Sequence, residues 1–393
     1  MLAALAETLH VPPHVLGVAD TRQRSVPIAT PTAKVEAKLT PDEGTDPMRR
    51  RTVLAGLTSL AGTAVVGMPP AAAATNPVAG LGALLLNALA STGAPTTLPT
   101  LRHAVSTARS VFQHGRYAAV ATSLLQLLPT AHATHHAATA TGEIAAAQGQ
   151  LAELYTLATE LMVKLSRDYL AAPAADRALH AAHSSGDILT QATARRTQAI
   201  VLRRAGQAAT AHRIVLDTAV ALQPDLHRGP EYLSVYGSLL STAAYTAAVD
   251  GNRTSAHDLI GEAVDTADRL GVDSNHRFTA FGPTGVRLYQ ISMSRVLGDF
   301  GTAIETARRV PAAGIPLVER RARYWADVAR SFHRWGKPEQ CYRALLAAEQ
   351  AAPDEVRYRQ PIQQITGELL RHPISSSLPG LRAFAGRVGV RGG

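Results

Sequence analysis

Cysteine is almost absent from this chain: Cys341 is the single one among 393 residues. That excludes an internal disulfide framework and a cysteine-based zinc site. A lone cysteine in a helical stretch with no catalytic partner motif reads as a small buried apolar side chain. Aromatic residues are scarce, at 5%, and there are only four lysines, Lys34, Lys38, Lys164 and Lys337. The formal net charge of +9 is therefore carried by arginine. It is not gathered into a Lys/Arg run of the kind that forms a nucleic-acid arm. Also missing are a phosphate-cradling glycine loop, a nucleophile elbow and a metal-binding His-Glu-x-x-His. The acidic residues are scattered, so no pair suggests acid–base work. His132, His135 and His136 form the one histidine cluster. They have no neighbouring acidic or cysteine ligand and read as helix histidines. We expect no enzyme, no cofactor and no metal.

What remains is an alanine- and leucine-rich chain suited to close helix packing. Leu2, Leu5, Ala6 and Leu9 fall at helical spacing until Pro12 and Pro13 break it, marking residues 1–18 as a short helical piece. Residues 19–47 are rich in Pro, Thr, Asp and Glu without apolar period and read as a flexible linker. Residues 48–100 read as a connector with short apolar helices. Within it, Arg49–Arg51 precede an apolar run from Val53 to Val66 and the small residues Ala71 to Ala74. This 49–74 segment has the ingredients of a twin-arginine export signal. The apolar run is too short to span the roughly 30 Å core of a bilayer, so no stable membrane span is expected. From Leu101 to residue 386 apolar residues recur at three- and four-residue spacing, and residues 387–393 read as a frayed tail.

The 101–386 region repeats. Gly115, Gly206, Gly251, Gly298 and Gly336 each end a helical stretch, and five residues later stand Val120, Ala211, Ala256, Ala303 and Cys341. A glycine supplies the left-handed conformation that ends a helix, and a small residue lets the next helix cross closely. The fullest copy is Trp325, Val328, Ala329, Phe332, Gly336, Cys341, Leu345, Ala348 and Pro353. It resembles the tetratricopeptide consensus position by position. The expected fold is therefore all-α: stacked antiparallel helical hairpins in a tetratricopeptide-like right-handed solenoid. Such stacks bind along a concave groove lined by the first helix of each hairpin. That geometry places Arg196, Arg203, Ser241, Tyr245, Ser292, Arg295, Arg323, Arg330 and His333 in one basic groove. Arginine forks suit carboxylates and phosphates, so the groove is expected to take an anionic small ligand or an acidic peptide. The bland reading of the same arginines is a solvated helix face. Between two hairpins, Phe281-Gly282-Pro283-Thr284 reads as a tight turn with Thr284 as helix cap.

The layout resembles actinobacterial Xre-type helix-turn-helix transcriptional regulators with a C-terminal tetratricopeptide-like sensor. The likeness rests on Leu2 to Val11 with the following Pro-Pro-His-Val-Leu-Gly, on Arg49 to Leu54, and on Ala174 to Leu179, Phe281 to Thr284, Arg320 to Val328 and Pro353 to Tyr358. It implies that residues 1–18 are the last helices of a DNA-binding domain whose recognition helix lies upstream. DNA contact is then expected only through a domain missing or truncated here. The resemblance further implies a cytoplasmic regulatory domain that senses a protein, peptide or small-molecule partner, with a homodimer among the expected assemblies. The competing expectation is a tetratricopeptide-like interaction scaffold with no role in transcription, either cytoplasmic or exported by the twin-arginine pathway.

Overall fold

A computed structural model describes residues 77–87 and 93–390, within a compact unit spanning Asn76–Gly393. The described residues form helices, turns and loops with no strand. The expectations for residues 1–76, including the helix-turn-helix remnant and the export-like segment, lie outside the described residues.

The first helices are α1 (Pro77–Leu86), α2 (Leu98–Gln113), α3 (Tyr117–Ala137), α4 (Thr141–Lys164) and α5 (Asp168–Ser185). There follow α6 (Ile188–Arg204), α7 (Ala208–Leu222), α8 (Pro230–Val249), α9 (Arg253–Leu270), α10 (Pro283–Val296) and α11 (Phe300–Arg308). The chain ends with α12 (Val318–Arg334), α13 (Pro338–Ala351), α14 (Pro353–Arg357), α15 (Gln360–Arg371) and α16 (Leu381–Arg387). Local chemistry sets several of these starts. Asp187 accepts from the Leu189 amide at 3.3 Å to begin α6, and Asn252 accepts from the Ser255 amide at 3.1 Å to begin α9. The five glycines that align the repeats all adopt positive φ. At Gly336, with φ 71°, the chain turns from α12 into α13.

Successive helices pack against one another. In the best-defined pair Val328, Ala329, Cys341, Leu345 and Ala348 are buried together, with Trp325 and Phe332 half-buried against them. Pro353 opens α14 at its first turn, where a missing amide costs nothing. A second set of contacts joins alternate helices: α2 to α4, α4 to α6, α6 to α8, α8 to α10, and α10 to α12. This inner row curls until α12 touches α2. Where they meet, Lys164 at the end of α4 pairs with Glu319 at the start of α12.

Three boundaries differ from the sequence expectation. The packed region begins before residue 101: α1 buries Leu81 and Leu85 against α3 and α5, because its apolar side chains find a hydrophobic face to cover. The tail is held as far as residue 390. Arg387 closes α16 and pairs with Glu349 at 2.7 Å, and Val388 is buried. Finally, Thr284 is not the cap of α10. The Asp273 carboxylate accepts from the Thr284 amide at 2.8 Å, so the cap arrives from the preceding loop. That loop, residues 271–282, carries three non-glycine residues at positive φ: Arg277, Phe278 and Ala280. Among the described residues no helix is long and apolar enough to cross a membrane.

A candidate site on the basic inner face

Much of the expected groove is buried and not a solvated face. Arg196, Arg295 and Arg330 are buried, as are Tyr245, Ser241 and Ser292. The curl of the inner row turns this face inward, where side chains from α6, α8, α10 and α12 meet.

The centre is Asp327, a residue the sequence reading missed. Its side chain is 2% exposed and faces three guanidiniums: Arg295 at 3.4 Å, Arg323 at 3.5 Å and Arg330 at 3.9 Å. The Ser292 hydroxyl donates to it at 2.6 Å. Burial would raise the Asp327 carboxyl, but these arginines hold it well below the usual range. Arg330 feels the opposite balance. Burial and the neighbouring Arg295 charge pull it down to about 10, which still leaves it protonated at neutral pH. Asp327 sits four residues after Arg323 and three before Arg330, so all three share one helix face. That spacing was a readable signal for the missed residue.

Two tyrosines extend the cluster. The Arg295 guanidinium donates to the Tyr245 hydroxyl at 3.3 Å, and Arg203 lies 4.7 Å from the Tyr245 ring centroid. Arg203 also donates to Thr246 at 3.2 Å. Arg196 donates to Thr242 at 2.9 Å, to the Ser238 carbonyl at 3.3 Å and to the Tyr289 hydroxyl at 3.0 Å. Tyr289 was not foreseen either. Burial favours its neutral phenol, yet Arg196 and Arg320 outweigh that and bring it down to about 7. Of the expected groove residues, Arg203, Tyr245, Ser292, Arg295, Arg323 and Arg330 are thus linked in one network, and Arg196 holds Thr242 and Tyr289 beside it. Ser241 instead donates to the Gly237 carbonyl of its own helix, and His333 pairs with Glu368 of α15 at 2.8 Å.

A second network pins the curl shut. Glu355, with no exposed side-chain surface, accepts from Lys164 at 3.1 Å and from the Tyr117 hydroxyl, and forms an ion pair with Arg359 at 2.8 Å. Lys164 also pairs with Glu319, whose carboxylate is disfavoured by burial but whose pKa is held at about 2 by Lys164 and Arg320. The Asp354 carboxylate accepts from the Tyr117 amide at 2.9 Å. The 271–282 loop braces the same region. Asn275 exchanges amide hydrogen bonds with Gln113 at 2.9 and 3.1 Å, Phe278 lies against Arg109, and Arg277 pairs with Asp187 at 2.5 Å.

Elsewhere, Cys341 is buried and its thiol is pushed up to about 12, which makes it an inert core residue. His132 meets the Tyr155 hydroxyl at 2.8 Å and His135 meets Gln148 at 2.8 Å, while His135 and His136 stack edge to face. Among the described residues no group of three metal-ligating side chains is gathered. A surface cleft of about 330 Å³ lies between α9, α10 and α11, lined in part by His257, Arg287, Met293 and Arg309. Set beside known proteins, the chain matches no family model, no curated protein and no solved structure.

Proposed function

We propose that this helical unit is the sensor of a transcriptional regulator: a tetratricopeptide-like array whose inner face binds an anionic ligand or partner. The observation that carries the reading is the cluster of Arg295, Arg323 and Arg330 around the single carboxylate of Asp327. Packed arginines with a shared counterion are costly to desolvate, and replacing such clusters with apolar residues is often neutral or stabilising. Its presence on the inner face supports a role in recognition rather than in stability. The regulator assignment draws on the resemblance of residues 1–18, 49–54 and the repeat region to Xre-type regulators. Crosslinking the full chain to DNA in cells, followed by sequencing of what it retains, tests it. Discrete enriched sites are expected.

The second reading is an interaction scaffold without a role in transcription, favoured by the twin-arginine-like run from Arg49 to Ala74. Mass spectrometry of the mature N-terminus decides between them. A new terminus near Ala74 or Thr75 on exported protein, with no DNA retained above an untagged control, would overturn the regulator reading.

A further inference from the structure

The surface cleft between α9, α10 and α11 lies on the other side of α10 from the inner face. Arg287, Gln290, Ser294 and Leu297 line it, three and four residues apart, so they form one stripe along about 15 Å of helix. Ser292 and Arg295, which join the Asp327 cluster, fall on the opposite side. A short α11 leaves room for the cleft. It has nine residues, against 15, 18 and 14 in α7, α9 and α13, which also follow a repeat glycine. Pro311 stands just beyond its end and cannot continue a helix.

The two ends of the cleft differ. Arg287 stands eleven residues before Gly298 and Arg309 eleven after it. In an antiparallel pair this sets both cations at the end far from the turn. Met293 and Leu297, nearer the turn, and Ile260 of α9 supply apolar surface. No carboxylate lines the cleft. Arg309 pairs with Glu305, but both are mostly exposed, and such a pair is weak enough for a ligand to replace. Among the described residues Arg287 has no hydrogen-bond or ion-pair partner, nor have the side chains of Gln290, Ser294 and Thr306 that also line the cleft. Elsewhere Thr218, Thr266 and Ser292 each spend their hydroxyl on a carbonyl of their own helix.

We propose that this cleft binds a small linear amphipathic anion of one charge, a medium-chain carboxylate. Its head lies between Arg287 and Arg309, and its chain runs along Met293 and Ile260 toward Leu297. One guanidinium without a carboxylate partner suits a single negative charge. The volume of about 330 Å³ is at the small end of the range for ligand pockets. This site is separate from the inner face and stands whether or not that face binds a ligand.

Methionine-methyl NMR on the full chain tests it, because Met293 lines the cleft while Met162 is buried in α4. The probes are decanoate below its micelle concentration, decanol, decylammonium and phosphate. Decanoate is expected to shift the Met293 signal saturably and to leave Met162 in place. Arg287→Gln should weaken decanoate roughly tenfold and leave decanol unchanged. Arg287 is exposed, so this variant keeps the fold and its melting temperature. Arg308→Gln, beside Arg309 but not lining the cleft, should change neither probe. Ser294→Trp should fill the cleft and remove both. The proposal is overturned if decanoate leaves Met293 unmoved, if decylammonium or phosphate moves it at the same concentrations, or if Arg287→Gln has no effect. Equal shifts at Met162 would also overturn it, since they mark a detergent loosening the whole fold. So would a Met293 signal that moves when the protein alone is diluted, which would assign the cleft to a second copy of the chain.

Discussion

Tyr289 shows how one residue reports the field of the inner face. Burial opposes its ionisation, but Arg196 donates to its hydroxyl at 3.0 Å and, with Arg320, brings the phenol down to about 7. Arg323 faces it as well. The unfolded chain keeps the ordinary tyrosine value near 10. Between about pH 7 and 10 the native state has therefore released a proton that the unfolded state retains, so stability rises with pH across that window. The contribution is lost as pH falls through about 7. Urea midpoints of the native chain and Tyr289→Phe should diverge from pH 7 upward, by on the order of 1 kcal/mol per pH unit. Equal pH dependence in the two proteins would contradict this account, and phenolate absorbance offers a direct second measure.

At the scale of elements, the 271–282 loop is held by shape more than by charge. Phe281 is buried against α8 at Gly237, where an added Cβ would come within 1.9 Å of the ring. Backbone around it adopts positive φ at Arg277, Phe278 and Ala280, conformations that cost on the order of 1–3 kcal/mol each and persist only when surroundings enforce them. The ring contact is one such enforcing feature. Gly237→Ala should therefore do more than overpack one site. We expect a loss of about 2–4 kcal/mol in stability, and faster amide exchange concentrated in residues 271–282 rather than throughout α8. A stability loss with uniform exchange would mean that the ring contact does not hold the loop.

For the whole molecule the decisive feature is the join between the ends of the inner row. Lys164 is nearly buried and lies between Glu319 and Glu355, which come from residues 155 and 191 positions away in sequence. Removing one partner leaves buried charge uncompensated, so Lys164→Met should cost about 3–5 kcal/mol. Replacing Lys164 and Glu319 together by Met and Leu should cost far less, and a double-mutant cycle by denaturant unfolding measures the difference. Additive losses would show that the pair does not act as a unit. Acid should open the same join. Glu319, held at about 2, contributes stability that is present above its ordinary range near 4.5 and lost as pH falls through about 2.

Periodicity and glycine placement were enough to read the helical character of the region after residue 100, because an apolar stripe at 3.6-residue spacing and a left-handed turn residue are local properties. The buried small residues Ala329, Cys341 and Ala348 follow from the same logic. The arginines of the inner face were also legible as a set, since each lies on the first helix of its pair. What sequence could not supply is the curl. Whether Arg196 and Arg330 face water or one another depends on the angles between successive helices, which accumulate over six of them. Only tertiary structure brings Lys164 to Glu355, Tyr117 to Asp354 and Gln113 to Asn275, contacts across 191, 237 and 162 residues. That closure brings cations that read as a surface row together around the buried carboxylate of Asp327.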